Sequence, residues 1–492
     1  MRRSLSHKNS REIAQDFSQD SLRKREAEFR RETPGKASRF SIAVIGAGMA
    51  GLCSAVTAAG ILKERGIGCR SVAVLDAGTE PGRKLLVTGN GRCNVTNLLQ
   101  SPECYRTEEP GERDRFGLGR KELSEEVIAF LRDELHVLCH DRNGYVYPRT
   151  DQAATIQQAL AARCRELGIV LVCSTRVTDL SRECADSKSI YRLETDGGKM
   201  FRADAVILAS GGMISEPYGC RGDGYRFAEA FGHRCIPPAP ALCELKVHSD
   251  GLKRAAGVRT HGKVTLFVGG QEQASSEGEL QLNKDSVSGI PVFQVSRYAG
   301  RAFGREVTAV LDFLPEVNSS DWKREISRRL QELNLKEAGQ KTLQELCLGL
   351  IPDKAASWLI TDLGGVPEQK LKGLQERIGE EGCRLFMTQL FGSMREKRLP
   401  VTGTAGYEKA QVSSGGIRLS EMTDHLESRC ALGLFCAGEV LDVDGMCGGY
   451  NLTFALHSGR IAGRAAAQRC SRESSPTGSA SDQTGGLSIC WN

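Results

Sequence analysis

The sequence predicts an α/β fold in which one sheet-and-helix domain is divided by an inserted segment. Three observations lead to this expectation. The β-branched run at residues 41–45 leads into a GxGxxG turn and an alanine-rich helical stretch. Another strand and glycine-rich turn precede a small-residue helical stretch at 455–467. Between them, residues 241–315 alternate as in an antiparallel barrel or sandwich, and residues 320–394 have helical leucine spacing.

Length and charge narrow the class of protein. A chain of 492 residues with 40% apolar and 26% charged residues is expected to form two or three soluble globular units. The net charge of +5 is carried by residues 1–39, which leaves 55 charges of each sign in the rest of the chain. A neutral body disfavours a nucleic-acid-binding surface. Residues 1–39 are predicted to be a disordered basic tail.

Other functional classes have little support in the sequence. The 18 cysteines are scattered without a CxxC pair, so they are interpreted as reduced thiols. Residues 40–62 lack charges, but their glycines fit a strand, turn and helix better than a membrane span. The histidines form no cluster typical of a metal site, and no GxSxG motif is present. We therefore expect a cytoplasmic protein without metal or stable membrane insertion, and make no prediction of its oligomeric state.

The GxGxxG segment predicts a Rossmann-like dinucleotide site. Gly46 permits the tight turn, Gly48 lets the backbone at Ala47 approach a pyrophosphate, and Gly51 allows close packing of helix and strand. The N-terminus of the following helix offers free N–H groups to the anion. The next predicted strand ends at Asp76, which is placed to accept a hydrogen bond from a ribose hydroxyl.

The loop after this acid combines closely spaced glycines, three cations and several hydrogen-bonding side chains. That composition suits a loop lying along a pyrophosphate and a flavin ring. Its candidate cofactor-binding residues are Arg83, Lys84, Asn90, Gly91, Arg92, Cys93 and Asn94. Since no second thiol lies close to Cys93 in the sequence, thiol–disulfide exchange is not expected.

Further candidates lie in later segments. Val177 follows a strand whose backbone could contact an adenine, and Gly211 follows a buried strand. Near the C-terminus, a strand, turn and acid lead into a helix whose N-terminus can face the pyrimidine end of a flavin. Its candidate cofactor-binding residues are Gly438, Asp444, Asn451 and Leu452. Tyr450, beside this turn, is the candidate proton donor, with packing against the cofactor as the alternative.

Two long motifs, GRKLLVTGNGRCNVTN and CAGEVLDVDGMCGGYNL, resemble the BaiN-type (bile-acid-inducible protein N) flavoproteins over about residues 40–468. This resemblance implies one bound FAD. It also implies a two-dinucleotide-type FAD domain, split by an inserted antiparallel β-barrel-like domain that carries a helical subdomain. The implied activity is reduction of C=C bonds conjugated to a ketone, namely the Δ4 and Δ6 bonds of 3-dehydro-bile acid intermediates in bile acid 7-dehydroxylation.

NAD(P)H is expected only as a transient donor at the barrel face of the flavin, because no second complete GxGxxG unit is present. Two alternatives remain: an FAD-dependent oxidase of a small amine or ketone, and a flavin-carrying RNA-modification or regulatory partner. The expected organisation is a tail at 1–39, FAD-domain parts at 40–236 and 410–468, insert strands at 237–319, a helical subdomain at 320–394, an insert return at 395–409 and a disordered tail at 469–492.

Overall fold

The computed structural model describes residues 37–68, 71–185, 188–214, 219–333 and 338–473. Most of each predicted tail, 1–39 and 469–492, lies outside these residues. The inner boundary of each predicted tail moves by a few residues, because regular secondary structure extends into it. The first strand begins at Ala37, which pairs with Met200, and the last helix continues to Glu473, with Cys470 and Ser471 buried near its end.

The described residues contain strands and helices in both halves of the chain. The strands are β1 Ala37–Ile45, β2 Val72–Leu75, β3 Thr96–Asn97, β4 Tyr105–Arg106, β5 Cys139–Arg142, β6 Tyr145–Pro148, β7 Val170–Val172, β8 Val177–Ala185, β9 Lys188–Thr195, β10 Met200–Leu208, β11 Cys235–Ala241, β12 Leu245–Val247, β13 Arg259–Val268, β14 Gln271–Leu282, β15 Ser286–Ser288, β16 Val307–Asp312, β17 Lys397–Thr404, β18 Val412–Ile417, β19 Leu434–Cys436 and β20 Asp444–Gly445. The helices are α1 Met49–Glu64, α2 Pro110–Arg113, α3 Leu123–Asp133, α4 Ala153–Glu166, α5 Asp223–Ala230, α6 Ile290–Gly300, α7 Ser319–Glu332, α8 Asp353–Asp362, α9 Leu371–Ser393 and α10 Tyr450–Glu473.

The first domain is built on a seven-stranded sheet of order β7-β2-β1-β10-β9-β8, with β19 also paired to β10. Strands β7, β2, β1, β10 and β19 are parallel, whereas β8 and β9 form an antiparallel extension. Apolar residues 40 and 42–45 of the central strand β1 are buried, as expected for a parallel strand covered on both faces.

Helices α1 and α10 pack closely because both have small residues at their contact. A Cβ added at Gly459 would lie 2.4 Å from the Ala50 carbonyl oxygen, and one at Gly463 would lie 2.3 Å from that of Ser54. The small-residue composition of both helices, visible in the sequence, thus permits this close approach of their backbones. The contact joins the two parts of the first domain, and the residues that meet there are about 400 positions apart in the chain.

The insert contains a closed antiparallel barrel of order β12-β15-β14-β13-β16-β17. This result decides between the barrel and the sandwich left open by the sequence. Alternate residues of β13 and β16, such as Val264, Leu266 and Leu311, are buried in its core. Helices α7, α8 and α9 share that core. The predicted fold class, a Rossmann-like domain with an inserted antiparallel barrel and helical part, is confirmed.

The proline cluster at residues 237–240 does not interrupt the chain as a simple breaker. It lies within β11, which pairs with β18 in a two-stranded ladder with a register shift between Ile236 and Ala239. Prolines are tolerated here because a bulged, two-stranded ladder does not require an N–H from every residue. The two strands are the connections between the first domain and the barrel.

Candidate functional site

A cavity of about 790 Å³ lies at the carboxyl ends of β1, β2 and β10. It extends from the glycine turn before α1 to the turn before α10 and the first turn of α6. Its volume is within the range of roughly 300–1,000 Å³ that is typical of ligand sites. The carboxyl edge of a parallel sheet is the usual ligand position in this class of fold.

The glycine turn has one side packed against protein and one side open to the cavity. A Cβ at Gly51 would lie 1.9 Å from the Gly46 carbonyl oxygen, so this position has no room for a side chain. Gly48 lines the cavity, and a Cβ there would meet no protein atom within 4 Å. The N–H groups of Met49 and Ala50, in the first turn of α1, lack intrahelical acceptors.

Asp76 lies at the end of β2 and lines the same cavity. Its carboxylate accepts hydrogen bonds from the Ala47 N–H at 2.6 Å and the Gly78 N–H at 2.7 Å. Burial raises the pKa of Asp76 above its ordinary value, although these two hydrogen bonds act in the opposite direction. Val177 also lines the cavity, at the start of β8. Asp76 is thus at the cavity, and its hydrogen bond with a ribose hydroxyl stays a prediction.

The loop after β2 places some, but not all, of its predicted residues at the cavity. It forms irregular 3₁₀ turns over Arg83–Gly91, in which Gly89 and Asn90 have left-handed φ angles of 54° and 55°. The cavity-lining members of the predicted set are Arg83, Lys84, Asn90, Arg92 and Asn94.

Cys93 and Gly91 do not line the cavity, which corrects their prediction as cofactor-contacting residues. The Cys93 side chain is fully buried, and burial raises the pKa of its thiol to about 12. Its left-handed φ of 58° turns the side chain into the core below the loop. Gly51 likewise acts beneath the turn rather than at the cavity surface.

Lys84 forms an ion pair that the sequence does not reveal. Its Nζ lies 2.6 Å from Glu439 Oε2, and Glu439 Oε1 accepts from the Ser413 N–H at 2.9 Å. Burial alone would lower the pKa of Lys84, but the Glu439 carboxylate raises it above its ordinary value. Glu439 follows Gly438, and both line the cavity. The pair joins the loop after β2 to the segment after β19.

Asp444 and Tyr450 do not have their predicted roles in the structure. Asp444 is fully buried away from the cavity, where its carboxylate lies 3.0 Å from Arg297 Nη2. Tyr450 is also outside the cavity lining, and its hydroxyl donates to the Leu99 carbonyl oxygen at 2.8 Å. Burial raises the pKa of Tyr450, which disfavours loss of its proton. Tyr450 is therefore corrected from candidate proton donor to packing residue.

The remaining predicted residues of this region do line the cavity: Gly211, Asn451 and Leu452. The Asn451 side chain also fixes the turn before α10, since it accepts from the Gly445 N–H and donates to the Gly445 carbonyl oxygen, both at 2.8 Å. Ser210, next to Gly211, was not predicted but lines the cavity as well.

FAD fits this cavity on two structural grounds. Gly48 leaves open space at a helix N-terminus, which suits a pyrophosphate. Two buried polar atoms on cavity-lining residues, Asn94 Oδ1 and Ser210 Oγ, have no hydrogen-bond partner among the described residues. Buried polar atoms usually have partners, so these two indicate that a polar ligand belongs in the cavity.

One group of metal-ligand type comes together elsewhere in the described part of the chain: His233, Glu421 and Cys430. The His233 ring nitrogens lie 3.0 Å from Glu421 Oε2 and 2.7 Å from Ser428 Oγ. The imidazole is thus already engaged by protein groups on both sides. None of the helices in the described ranges is both long and apolar enough to span a membrane.

The family described as "HI0933-like protein Rossmann domain" matches residues 40–465. The chain belongs to this family. The resemblance to BaiN-type flavoproteins is confirmed, as is the prediction of a flavin-type oxidoreductase with a Rossmann-like domain. FAD is the cofactor that the family and the cavity both support.

Two curated relatives cover almost the whole described chain. A 3-dehydro-bile acid delta(4,6)-reductase from Clostridium scindens is 36% identical over 439 residues, which are 87% of this chain and 99% of the relative. A ribosomal RNA dihydrouridine synthase from Escherichia coli is 27% identical over 425 residues, 85% of this chain and 96% of the relative. Among solved structures, a 3-ketosteroid delta1-dehydrogenase from Sterolibacterium denitrificans is 13% identical at a TM-score of 0.46, over 88% of this chain and 100% of that one.

Proposed function

We propose that this protein reduces a carbon–carbon double bond conjugated to a ketone in a steroid-like substrate, with FAD as cofactor and NAD(P)H as a transient donor. The observation that carries the proposal is a set of apolar and aromatic side chains that line the cavity, called here the apolar wall. The likeness to the Clostridium scindens reductase, which extends over 99% of that relative, supports the same class of substrate. The Δ4 and Δ6 bonds of a 3-dehydro-bile acid are the substrate bonds proposed.

The wall is assembled from three parts of the chain. Val87, in the loop after β2, and Ile290, at the start of α6, are both 50% exposed and line the cavity. Phe293 follows on α6, and the rings of Tyr145 and Tyr147 on β6 complete the lining. Exposed apolar side chains at a cavity usually mark an apolar ligand. A flat fused-ring enone satisfies this requirement.

The reaction divides between cofactor and protein. The chemistry that FAD would supply when bound and reduced is hydride for the electron-poor carbon of the conjugated system. The residues of this chain hold the ring system against the wall, exclude water and bring a proton to the neighbouring carbon. The ketone withdraws electrons through the double bonds, so hydride addition at the remote carbon is favoured.

The name of the Escherichia coli relative describes related chemistry on a different molecule. Dihydrouridine is uridine with its C5=C6 bond reduced, and that bond is also conjugated to a carbonyl. Residues 40–492 of this chain carry equal numbers of basic and acidic side chains, which does not favour an RNA surface. We therefore propose a small apolar enone as the substrate, and the test below includes ribosomal RNA as the alternative substrate.

The test is anaerobic stopped-flow mixing of the FAD-loaded protein. We expect NADH or NADPH to bleach the flavin absorbance and a steroid 3-oxo-4,6-diene to restore it. The steroid product should contain two or four more hydrogens than the substrate. Bleaching by an amine with fast reoxidation by oxygen would support the oxidase instead. Reoxidation by uridine-containing rRNA but not by the dienone would support the RNA alternative. Either result would overturn the proposal.

Matched variants test the apolar wall itself. Ile290→Glu should raise KM for the dienone at least tenfold, because it introduces a charge where the apolar ring lies. Leu348→Glu is the control, since Leu348 is 54% exposed and does not line the cavity. Equal KM values for the two variants would contradict the assignment of the wall.

A further inference from the structure

We propose that Tyr147 is the proton donor of this reduction: its phenol delivers the proton that completes addition to the double bond. The inference rests on the proposed function and goes beyond it by assigning the acid. Tyr147 lies on β6, which pairs with β5 in a hairpin, and it belongs to the apolar wall of the cavity. It replaces Tyr450, whose hydroxyl is turned away from the cavity.

The hydrogen bonds of the tyrosines in this region distinguish Tyr147. The Tyr450 hydroxyl donates to the Leu99 carbonyl oxygen, and the Tyr105 hydroxyl donates to Gln100 Oε1, both at 2.8 Å. Those phenols are engaged within the protein. The Tyr147 hydroxyl forms no hydrogen bond with the residues that the structure describes. Its side chain is half-buried at the cavity. It is therefore available to a ligand.

The charges around Tyr147 suit a phenol that gives up its proton and recovers it. Burial raises the pKa of Tyr147, so the hydroxyl holds its proton at neutral pH, while the nearby Arg92 acts to lower the pKa. The Arg142 guanidinium lies over the ring, 5.9 Å from its centroid. Both cations stabilise the phenolate that forms on proton transfer.

The neighbouring groups provide a path to solvent. His140 is opposite Tyr147 in the hairpin, with ring centroids 6.2 Å apart, and its Nε2 lies 3.0 Å from Asp151 Oδ1. The other titratable groups that act on Tyr147 are Tyr145, on the same face of β6, and Cys447, in the turn before α10. Tyr147 is itself only half-buried, and its neighbours His140 and Arg142 are partly exposed, so water can reprotonate the phenolate.

The step balances in atoms and electrons. The hydride that forms a C–H bond at the remote carbon of the conjugated system would come from a reduced flavin held in the cavity, which would be oxidised in turn. The electron pair of the double bond then forms a second C–H bond at the neighbouring carbon as the Tyr147 O–H bond breaks. Water returns the proton to the phenolate. The substrate gains two hydrogens for each double bond reduced.

The decisive experiment compares Tyr147→Phe with Tyr450→Phe, each of which removes one phenol hydroxyl and keeps the ring. Enzyme reduced beforehand is mixed with the dienone without oxygen. We expect Tyr147→Phe to slow flavin reoxidation by about 100-fold, the lower end of general-acid contributions. Flavin reduction by the nicotinamide and the Kd for the saturated ketone, followed by the flavin absorbance change, should match the wild type. Tyr450→Phe should keep all three values.

Two further readouts separate proton donation from packing. Small protonated buffers should accelerate reoxidation of Tyr147→Phe in proportion to their concentration, because they replace the missing acid, and should have little effect on the wild type. Wild-type reoxidation by Tyr147→Phe would overturn the assignment, as would loss of the rate in Tyr145→Phe instead. If the wild-type enzyme itself is not reoxidised by any enone, the proposed function fails and the assignment with it.

Discussion

Substitution of Gly48 by valine separates cofactor binding from folding. Gly48 has φ −76° and ψ −174°, an extended conformation that any residue can adopt. An added Cβ meets no protein atom within 4 Å, since it projects into the cavity. The substitution is therefore expected to change the stability of the apoprotein by no more than about 0.5 kcal/mol.

The same side chain occupies the space that a pyrophosphate requires. The expected loss is that of two charge-assisted hydrogen bonds, from the N–H groups of Met49 and Ala50, at about 1.5–3 kcal/mol each. Together they amount to about 3–6 kcal/mol, or a factor of about 10² to 10⁴ in the Kd for FAD. The purified variant should be colourless, whereas the wild type should be yellow with about one FAD per chain.

The assay is titration of apoprotein with FAD, followed by flavin fluorescence, alongside urea denaturation without FAD. Gly60→Val is the matched control, because Gly60 is in the same helix, away from the cavity, and also has no atom within 4 Å of an added Cβ. Full FAD binding by Gly48→Val would refute the placement of the pyrophosphate. A large loss of apoprotein stability would refute the separation of binding from folding.

Three further predictions follow from the same contacts. Gly51→Ala should destabilise the apoprotein by at least about 1–3 kcal/mol in urea, since its Cβ would lie 1.9 Å from a carbonyl oxygen; an unchanged midpoint would contradict this. Asp76→Ala should weaken FAD binding by about 1–3 kcal/mol in the same titration, and an unchanged Kd would mean that Asp76 does not contact the cofactor. Asp362→Asn should destabilise the protein by about 2–4 kcal/mol at pH 7, because Asp362 Oδ2 lies 2.6 Å from Lys397 Nζ. Burial alone would raise the pKa of Asp362, but Lys397 and Ser249 lower it, so this contribution is present above the ordinary aspartate pKa of about 3.9 and is lost as the pH falls below it. Wild-type protein should therefore lose more stability on acidification from pH 5 to pH 3 than the variant, and parallel losses would contradict the role of this carboxylate.

The parts of the site that could be predicted from the sequence are local ones. Gly46, Gly48 and Gly51 act within a single turn, so their spacing alone indicates what each must do. Asp76 ends a strand adjacent to that turn, and parallel pairing brings its carboxylate to the Ala47 N–H. In each case the relevant partner is either close in the chain or fixed by the pairing of neighbouring strands.

The acids near the C-terminus show where this reasoning fails. Glu439, Asp442 and Asp444 lie within six residues, and nothing in the pattern says which of them reaches the cavity. The structure directs Glu439 to Lys84 at the cavity, Asp442 to the Thr107 hydroxyl, and Asp444 to another buried partner. Each of these side chains has a partner more than 140 residues away in the chain, so spacing alone could not decide its direction.

Tyr147 was missed for a similar reason. No cofactor motif includes the hairpin of β5 and β6, and the residues it approaches at the turn before α10 are about 300 positions further along the chain. An aromatic residue in an alternating strand is usually a packing residue. Only the assembled cavity shows that Tyr147 lines the candidate ligand site.

Asp444 provides a test of this difference between motif and structure. As a cofactor ligand, its loss should weaken FAD binding. In the structure, Asp444 is fully buried. Arg297 Nε donates to both carboxylate oxygens of Asp444 at 3.1 Å, and the Arg297 side chain is only 7% exposed. Since Arg297 belongs to α6 in the insert, the pair holds the barrel against the first domain.

Removal of one partner leaves a buried, unpaired charge, so Asp444→Asn should destabilise the protein by about 3–5 kcal/mol. The matched control is Asp204→Asn, which breaks the exposed pair with Arg39, where the Arg39 and Asp204 side chains are 54% and 28% exposed, and should change stability by about 0–1 kcal/mol. Urea denaturation measures both. The Kd for FAD of Asp444→Asn, measured where the variant is still folded, should stay within a few-fold of the wild type. Weakened FAD binding with unchanged stability would mean that Asp444 is a cofactor ligand, as the sequence motif suggested. It would also mean that the ion pair with Glu108 is enough to stabilise the buried charge of Arg297.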